Sequence, residues 1–436
     1  MKRTFSLDTL IMLLVLTSVA CAADLSSQPA SRHESTSYLY VWAGDQARKA
    51  PDFIAVVDFD EASPTYGKII NTVLVPPPGN IANEAHHCDV SVDKNILACG
   101  GLLSLLRHQD GIFFFDISDA ANPKFLFSTK ARESAVTDDF FPLQQGGFLI
   151  SQMGSATGGA PGRIAEFDKN LQFVGNHYGN LTLAGEWPVK PPLDGFNPHG
   201  MSVREDRNLM LTADFVLPSS TLNTYPGRPV LRGSIRVWDL AHRVITKTIK
   251  IPSAKGTMEV MLIPNDPGLR AYTGGIYDGL IYLIDTVAGT ATPVLDCDSL
   301  IPRGLVPPHD GKPQLFAMTQ DGTRLIFGLF DAGLVAMLDI SDPSHPKALD
   351  IKSLGLNAGP HTLLLARNDT KLVVSDYFLN EDKFGKIHME GDHKLRAFDV
   401  TQNKLIPDKR FLIDFNTAFP TGPARPHGLA WKDVTP

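Results

Sequence analysis

The sequence predicts an all-β protein, a seven-bladed β-propeller closed by its own C-terminal strand. Three observations carry this expectation. A run of β-forming residues ending in aspartate recurs seven times, at Asp58, Asp116, Asp168, Asp239, Asp285, Asp339 and Asp399. The intervals run from 46 to 71 residues, the size of one four-stranded blade. Histidines recur at strand starts, as in Asn197-Pro198-His199-Gly200-Met201, Gly359-Pro360-His361-Thr362-Leu363 and Arg425-Pro426-His427-Gly428-Leu429. Finally, the two ends of the chain are complementary fragments of one blade.

Each unit reads as strands A to D, from the channel outward. The A strand is short and apolar in alternation, as in His361 to Leu365. Strand B follows, as in Lys371 to Asp376, and strand C ends in the recurring aspartate. That residue is a natural turn starter, because its carboxylate can accept from a backbone amide two or three residues on. The turns Asp116-Ile117-Ser118-Asp119 and Asp339-Ile340-Ser341-Asp342 are near copies. Strand D follows the turn, as in Lys124 to Ser128. The first unit starts at Tyr38 with a B strand and lacks an A strand, whereas His427 to Trp431 is an A strand with nothing behind it. Pairing them closes the ring and removes its open edges. Segments 180–196, 217–231 and 380–392 read as loops, rich in Pro and Gly or in charge.

Composition agrees. The 436 residues are 43% hydrophobic and 20% charged, with 36 Gly and 32 Pro for the turns. The net charge of −7 comes without a basic stripe, which excludes nucleic acid as an expected partner. Residues 1–22 read as a signal peptide: Lys2 and Arg3, the apolar run Leu10 to Ala20, and the small residues Ala20-Cys21-Ala22. Export to the periplasm or medium is therefore expected, with lipidation of Cys21 as the alternative. Residues 23–36 form a polar tether, and 37–436 one propeller domain without a membrane span. Three cysteines remain, Cys88, Cys99 and Cys297, and only Cys88 with Cys99 is placed to pair.

The A-strand starts face one another around the channel axis. Alternation places His86 or His87, Asp138 or Asp139, His199, Glu259, Gln314, His361 and His427 there. Imidazoles converging on one axis suit copper, zinc, iron or nickel, and open coordination positions suit redox or Lewis-acid chemistry. The expected metal ligands are His199, His361, His427 and one or both of His86 and His87. Glu259 and Asp139 are expected to fix histidine tautomers or move protons during turnover. His309 reads as loop.

Several stretches resemble the selenium-binding protein family, which includes methanethiol oxidases. They are Tyr40-Val41-Trp42-Ala43-Gly44 with Ala50-Pro51-Asp52-Phe53-Ile54-Ala55-Val56-Val57-Asp58, and Glu84-Ala85-His86-His87. Further pieces are Glu259 with Asn265-Asp266-Pro267, and Phe411-Leu412-Ile413-Asp414-Phe415 leading to His427. The resemblance implies a seven-bladed propeller, copper held by His86, His87 and His427, and oxidation of methanethiol by oxygen and water to formaldehyde, hydrogen sulfide and hydrogen peroxide. The cysteine-rich stretch that follows the paired histidines in animal members is replaced here by Cys88, which marks a divergent branch. The histidine ring is also similar to the iron site of carotenoid-cleaving oxygenases, so an iron oxygenase is one alternative. A non-catalytic ligand-binding propeller is the other.

Overall fold

The computed structural model describes residues 36–434, apart from 78–79, 179–194, 223–228, 306–310, 377 and 381–387. The predicted signal peptide, nearly all of the tether, His309 and most of the 180–196 loop lie outside the described residues.

Seven four-stranded antiparallel sheets form the blades of a propeller. Blade two is typical: Ala85–Val90, Ile96–Gly101, Ile112–Asp116 and Lys124–Thr129, in that order. Blade one joins the two ends of the chain, in the order Ile69–Leu74, Phe53–Asp58, Ser37–Asp45 and Ala424–Asp433. The last strand pairs antiparallel with the first from Ser37↔Asp433 to Asp45↔Ala424. Trp431 Nε1 donates to Ser37 Oγ at 2.9 Å across this seam. The closure expected from the two end fragments is therefore present.

Seven apolar cores lie between neighbouring blades, and strand alternation explains them. Along Ser37–Asp45, Leu39 and Val41 face Val373 and Phe411 of blade seven, while Tyr40 and Trp42 face Leu97 and Phe113 of blade two. Both faces of each sheet are buried, so B and C strands read as continuous apolar runs, such as Phe113-Phe114-Phe115. The strand-end aspartates act mostly as turn starters. Asp116 accepts from Ser118 N at 2.8 Å, Asp285 from Val287 N at 3.0 Å and Asp339 from Ser341 N at 2.9 Å. Asp399 differs: it pairs with Lys371, a buried lysine also bound by Asp408.

Two expectations are corrected. Segment 380–392 is not simply loop, because Phe378–Asn380 and His388–Glu390 form a small hairpin. Cys88 and Cys99 do face each other across the ladder, but both are free thiols, as is Cys297. An eighth apolar cluster covers the mouth where the inner strands begin. It contains Leu103, Val136, Met153, Phe215 and Met258, flanked by the single-turn helices Ser104–Arg107 and Pro218–Thr221. No helix among the described residues is long and apolar enough to cross a membrane.

Candidate metal centre

A repeated irregularity of the inner strands builds the site. In five blades, one extra residue is inserted near the start of the inner strand. The register slips between Ala85 and Cys88, Thr137 and Phe140, Pro198 and Met201, Thr257 and Val260, and Pro313 and Phe316. The closing strand slips likewise at His427, between Pro426 and Gly428. A bulge turns two successive residues out of the ladder together. The bulge pairs are His86-His87, Asp138-Asp139, His199-Gly200, Met258-Glu259 and Gln314-Leu315. At His86-His87 both rings enter the channel, stacked at 4.1 Å and 14°.

Ligand nitrogens of His86, His87, His361 and His427 all lie within 4.8 Å of one another. Two nitrogens bound to one metal at about 2 Å sit roughly 3–4 Å apart, so small shifts would complete a shared site. The ring of His427 stands edge-on to His86 at 4.5 Å and to His361 at 4.8 Å. His199 stands slightly aside. Its Nε2 lies 3.3 Å from Asp138 Oδ2, and it joins His86 and Asp138 in a second group.

The polar partners select tautomers. Asp138 Oδ1 lies 3.1 Å from His87 Nδ1, and Gln314 Oε1 lies 3.0 Å from His361 Nδ1. Only the second contact is a hydrogen bond, and with Nδ1 of His361 protonated its lone pair falls on Nε2. His87 Nε2 and His86 Nδ1 are buried and have no hydrogen-bond partner among the described residues. Leaving such atoms unsatisfied costs about 1–3 kcal/mol each, which a bound cation would offset. The donor set and its orphaned nitrogens therefore fit a metal such as copper or iron.

Burial also fixes the charge state. It pushes His86 and His87 down to about 3, with the His87 ring adding repulsion at His86. His199, His361 and His427 are held well below the ordinary range by burial and then by neighbouring imidazoles, His86 and His87 among them in each case. All five rings are thus neutral at pH 7, as metal ligation requires. Burial raises Asp138 to about 7.

The carboxylate set against the imidazoles is Asp138, rather than the expected Asp139 or Glu259. Counting in steps of two assumes an unbroken ladder, and the bulges break it. Asp139 and Glu259 fall on the second bulge position and line the channel one layer further along. There Asp139 Oδ2 accepts from Met201 N at 2.7 Å, and Glu259 Oε1 accepts from Val260 N at 2.9 Å. Met258, not Glu259, occupies the level of His199. Two hydroxyls escaped sequence reasoning. Ser151 Oγ donates to the His199 carbonyl at 2.6 Å, and Ser375 Oγ to the His427 carbonyl at 2.8 Å. Both sit on B strands, where no alternation signal separates a hydroxyl anchor from ordinary polarity.

The closing strand passes close to blade two. A Cβ on Gly428 would stand 2.4 Å from the His86 carbonyl oxygen and 3.0 Å from Cys88 Sγ. Gly428→Ala is therefore expected to destabilise the protein by about 1–3 kcal/mol, read as a lower denaturant midpoint at unchanged slope. An unchanged midpoint would contradict the tight approach.

Among proteins similar to this chain is a methanethiol oxidase from a Hyphomicrobium species, 25% identical over 87% of this chain and 83% of that protein. The human methanethiol oxidase is 22% identical over 91% and 93%. A solved selenium-binding protein from Sulfolobus tokodaii superposes with a TM-score of 0.70 at 19% identity, covering 91% of this chain and 94% of that one. A periplasmic gluconolactonase from Pseudomonas aeruginosa reaches 0.60 at 13% identity, covering 92% and 99%, a likeness of fold alone. The profile of the 56 kDa selenium-binding proteins matches residues 23–435, and the chain belongs to that family.

Proposed function

We propose that this protein is an exported metal-dependent oxidase of a small sulfur compound, resembling methanethiol oxidase, with copper held by His86, His87, His361 and His427. The single observation behind this reading is the convergence of four neutral, buried imidazoles on one point of the axis. Relatives named methanethiol oxidase support the substrate class. Copper bound there would supply one-electron redox chemistry and a Lewis acid for sulfur and oxygen. The protein's part is positioning. Gln314 holds the ring of His361 with Nε2 toward the centre, and the Asp138 carboxylate lies beside His87. His199 shares Asp138 with His87 and stands as an additional ligand or a brace for that carboxylate.

Glu259 is the proposed proton-handling group, with Asp139 beside it. Burial, then the neighbouring Asp139, raises its pKa well above the ordinary range, which favours the protonated form. Its Oε1 is occupied by the Val260 amide, which leaves Oε2 to carry and deliver that proton.

Methanethiol supplied with oxygen to the copper-loaded protein is expected to yield formaldehyde, hydrogen sulfide and hydrogen peroxide in equal amounts. Glu259→Gln is expected to lower turnover by roughly 10²-fold or more at unchanged copper content. Copper-loaded protein that leaves methanethiol unoxidised would overturn the oxidase reading.

A further inference from the structure

Along the channel from the histidines lies a cavity of about 310 Å³. His87 lines it, whereas His86, His361 and His427 do not. His87 therefore connects the metal centre to this chamber. The walls are largely apolar, with Met261, Leu315, Phe316, Leu363 and Leu429 among them. Its ionisable groups are His87, Cys88 and the carboxyls of Asp89, Asp139 and Glu259, and among the described residues no lysine or arginine lines it.

Size and charge both constrain the occupant. The volume is at the lower end of the range for small-molecule sites, about 300–1,000 Å³. Water takes about 30 Å³ per molecule, so a thiol with one carbon and one sulfur would leave most of this chamber unfilled. A longer alkyl chain would lie against Leu315, Phe316 and Leu363. Each methylene buried there should tighten binding about fourfold. An anionic group would meet three acidic side chains and no cation.

We infer that the chamber is the substrate pocket and that Leu315 and Leu363 set its length, so that the preferred ligand is an uncharged alkyl thiol of several carbons. This rests on the oxidase reading above and deepens it. Leu315 occupies the second bulge position of its strand, which turns its side chain into the channel beside the layer of Glu259. It is thus a specificity-determining residue.

The test is calorimetric titration of the copper-loaded full-length protein with methanethiol, 1-butanethiol and mercaptoacetate. Butanethiol is expected to bind at least tenfold more tightly than methanethiol, and mercaptoacetate at least tenfold more weakly than butanethiol. Leu315→Trp is expected to abolish the preference for butanethiol while leaving copper content within about twofold. Leu363→Phe is expected to act alike, and serves if Leu315→Trp does not fold. Butanethiol binding no tighter than methanethiol, or a preference that survives both substitutions, would overturn the inference and leave the oxidase reading standing. No binding of any thiol would overturn both.

Discussion

Purified His361→Ala/His427→Ala protein is expected to retain its fold and lose its metal. The two residues supply half of the four clustered imidazoles. Binding of a metal by four protein ligands is worth about 10–16 kcal/mol, so losing two should weaken affinity more than a thousandfold. The substitutions remove side chains that face the channel rather than an inter-blade core, so the melting transition of the metal-free protein should change little. The same titration carries a pH signature. An ordinary histidine gains a proton below about pH 6.5 and stops binding metal. His86 and His87, pushed down to about 3, stay neutral through pH 5. Asp138, raised to about 7, is protonated as the pH falls through that value and loses the charge that steadies His87 and His199. Affinity is therefore expected to fall below pH 7 by at most about tenfold per unit, the slope of one proton. Asp138→Asn should flatten the dependence. A steeper fall, following several protons, would mean that the imidazoles themselves titrate.

Deleting the last ten residues, His427 to Pro436, is expected to abolish folding and metal uptake together. The deletion removes most of the strand that completes blade one, including Leu429 in its core and the Trp431–Ser37 contact. It exposes the inner edge of Ser37–Asp45, a strand buried along nearly all its length. The total stability of a domain is only about 5–15 kcal/mol, and loss of this strand should exceed it. His427→Ala alone separates the two roles, since it should keep the cooperative transition and weaken the metal. A truncated chain that unfolds cooperatively and binds metal at full affinity would contradict the dual role of this strand.

The propeller was legible because its signals are local and repeated. Asp116, Asp285 and Asp339 start turns at the same point of each blade, and that periodicity survives differences in loop length. The end fragments were legible because a lone A strand has no stable place except beside Ser37–Asp45. The histidines were legible for the same reason, as repeats of one position. The layer to which each polar residue belongs was not. A bulge shifts side chains by one position without changing composition, so alternation favoured Glu259 over Met258 and could not choose between Asp138 and Asp139. At His86-His87 the same bulge brings both candidates inward. Pairs such as Gln314 with His361, 47 residues apart in sequence, depend on neighbouring blades, which alternation within one strand cannot report.

The central claim is that the clustered imidazoles bind one metal ion, and elemental analysis of untagged protein tests it most directly. Close to one equivalent of copper per chain is expected, falling to background in the His361→Ala/His427→Ala variant. One equivalent of iron would keep the site and move the chemistry toward an oxygenase. Protein that holds no stoichiometric metal, even after incubation with copper or iron, would contradict the account and leave the histidine ring as a ligand-binding surface.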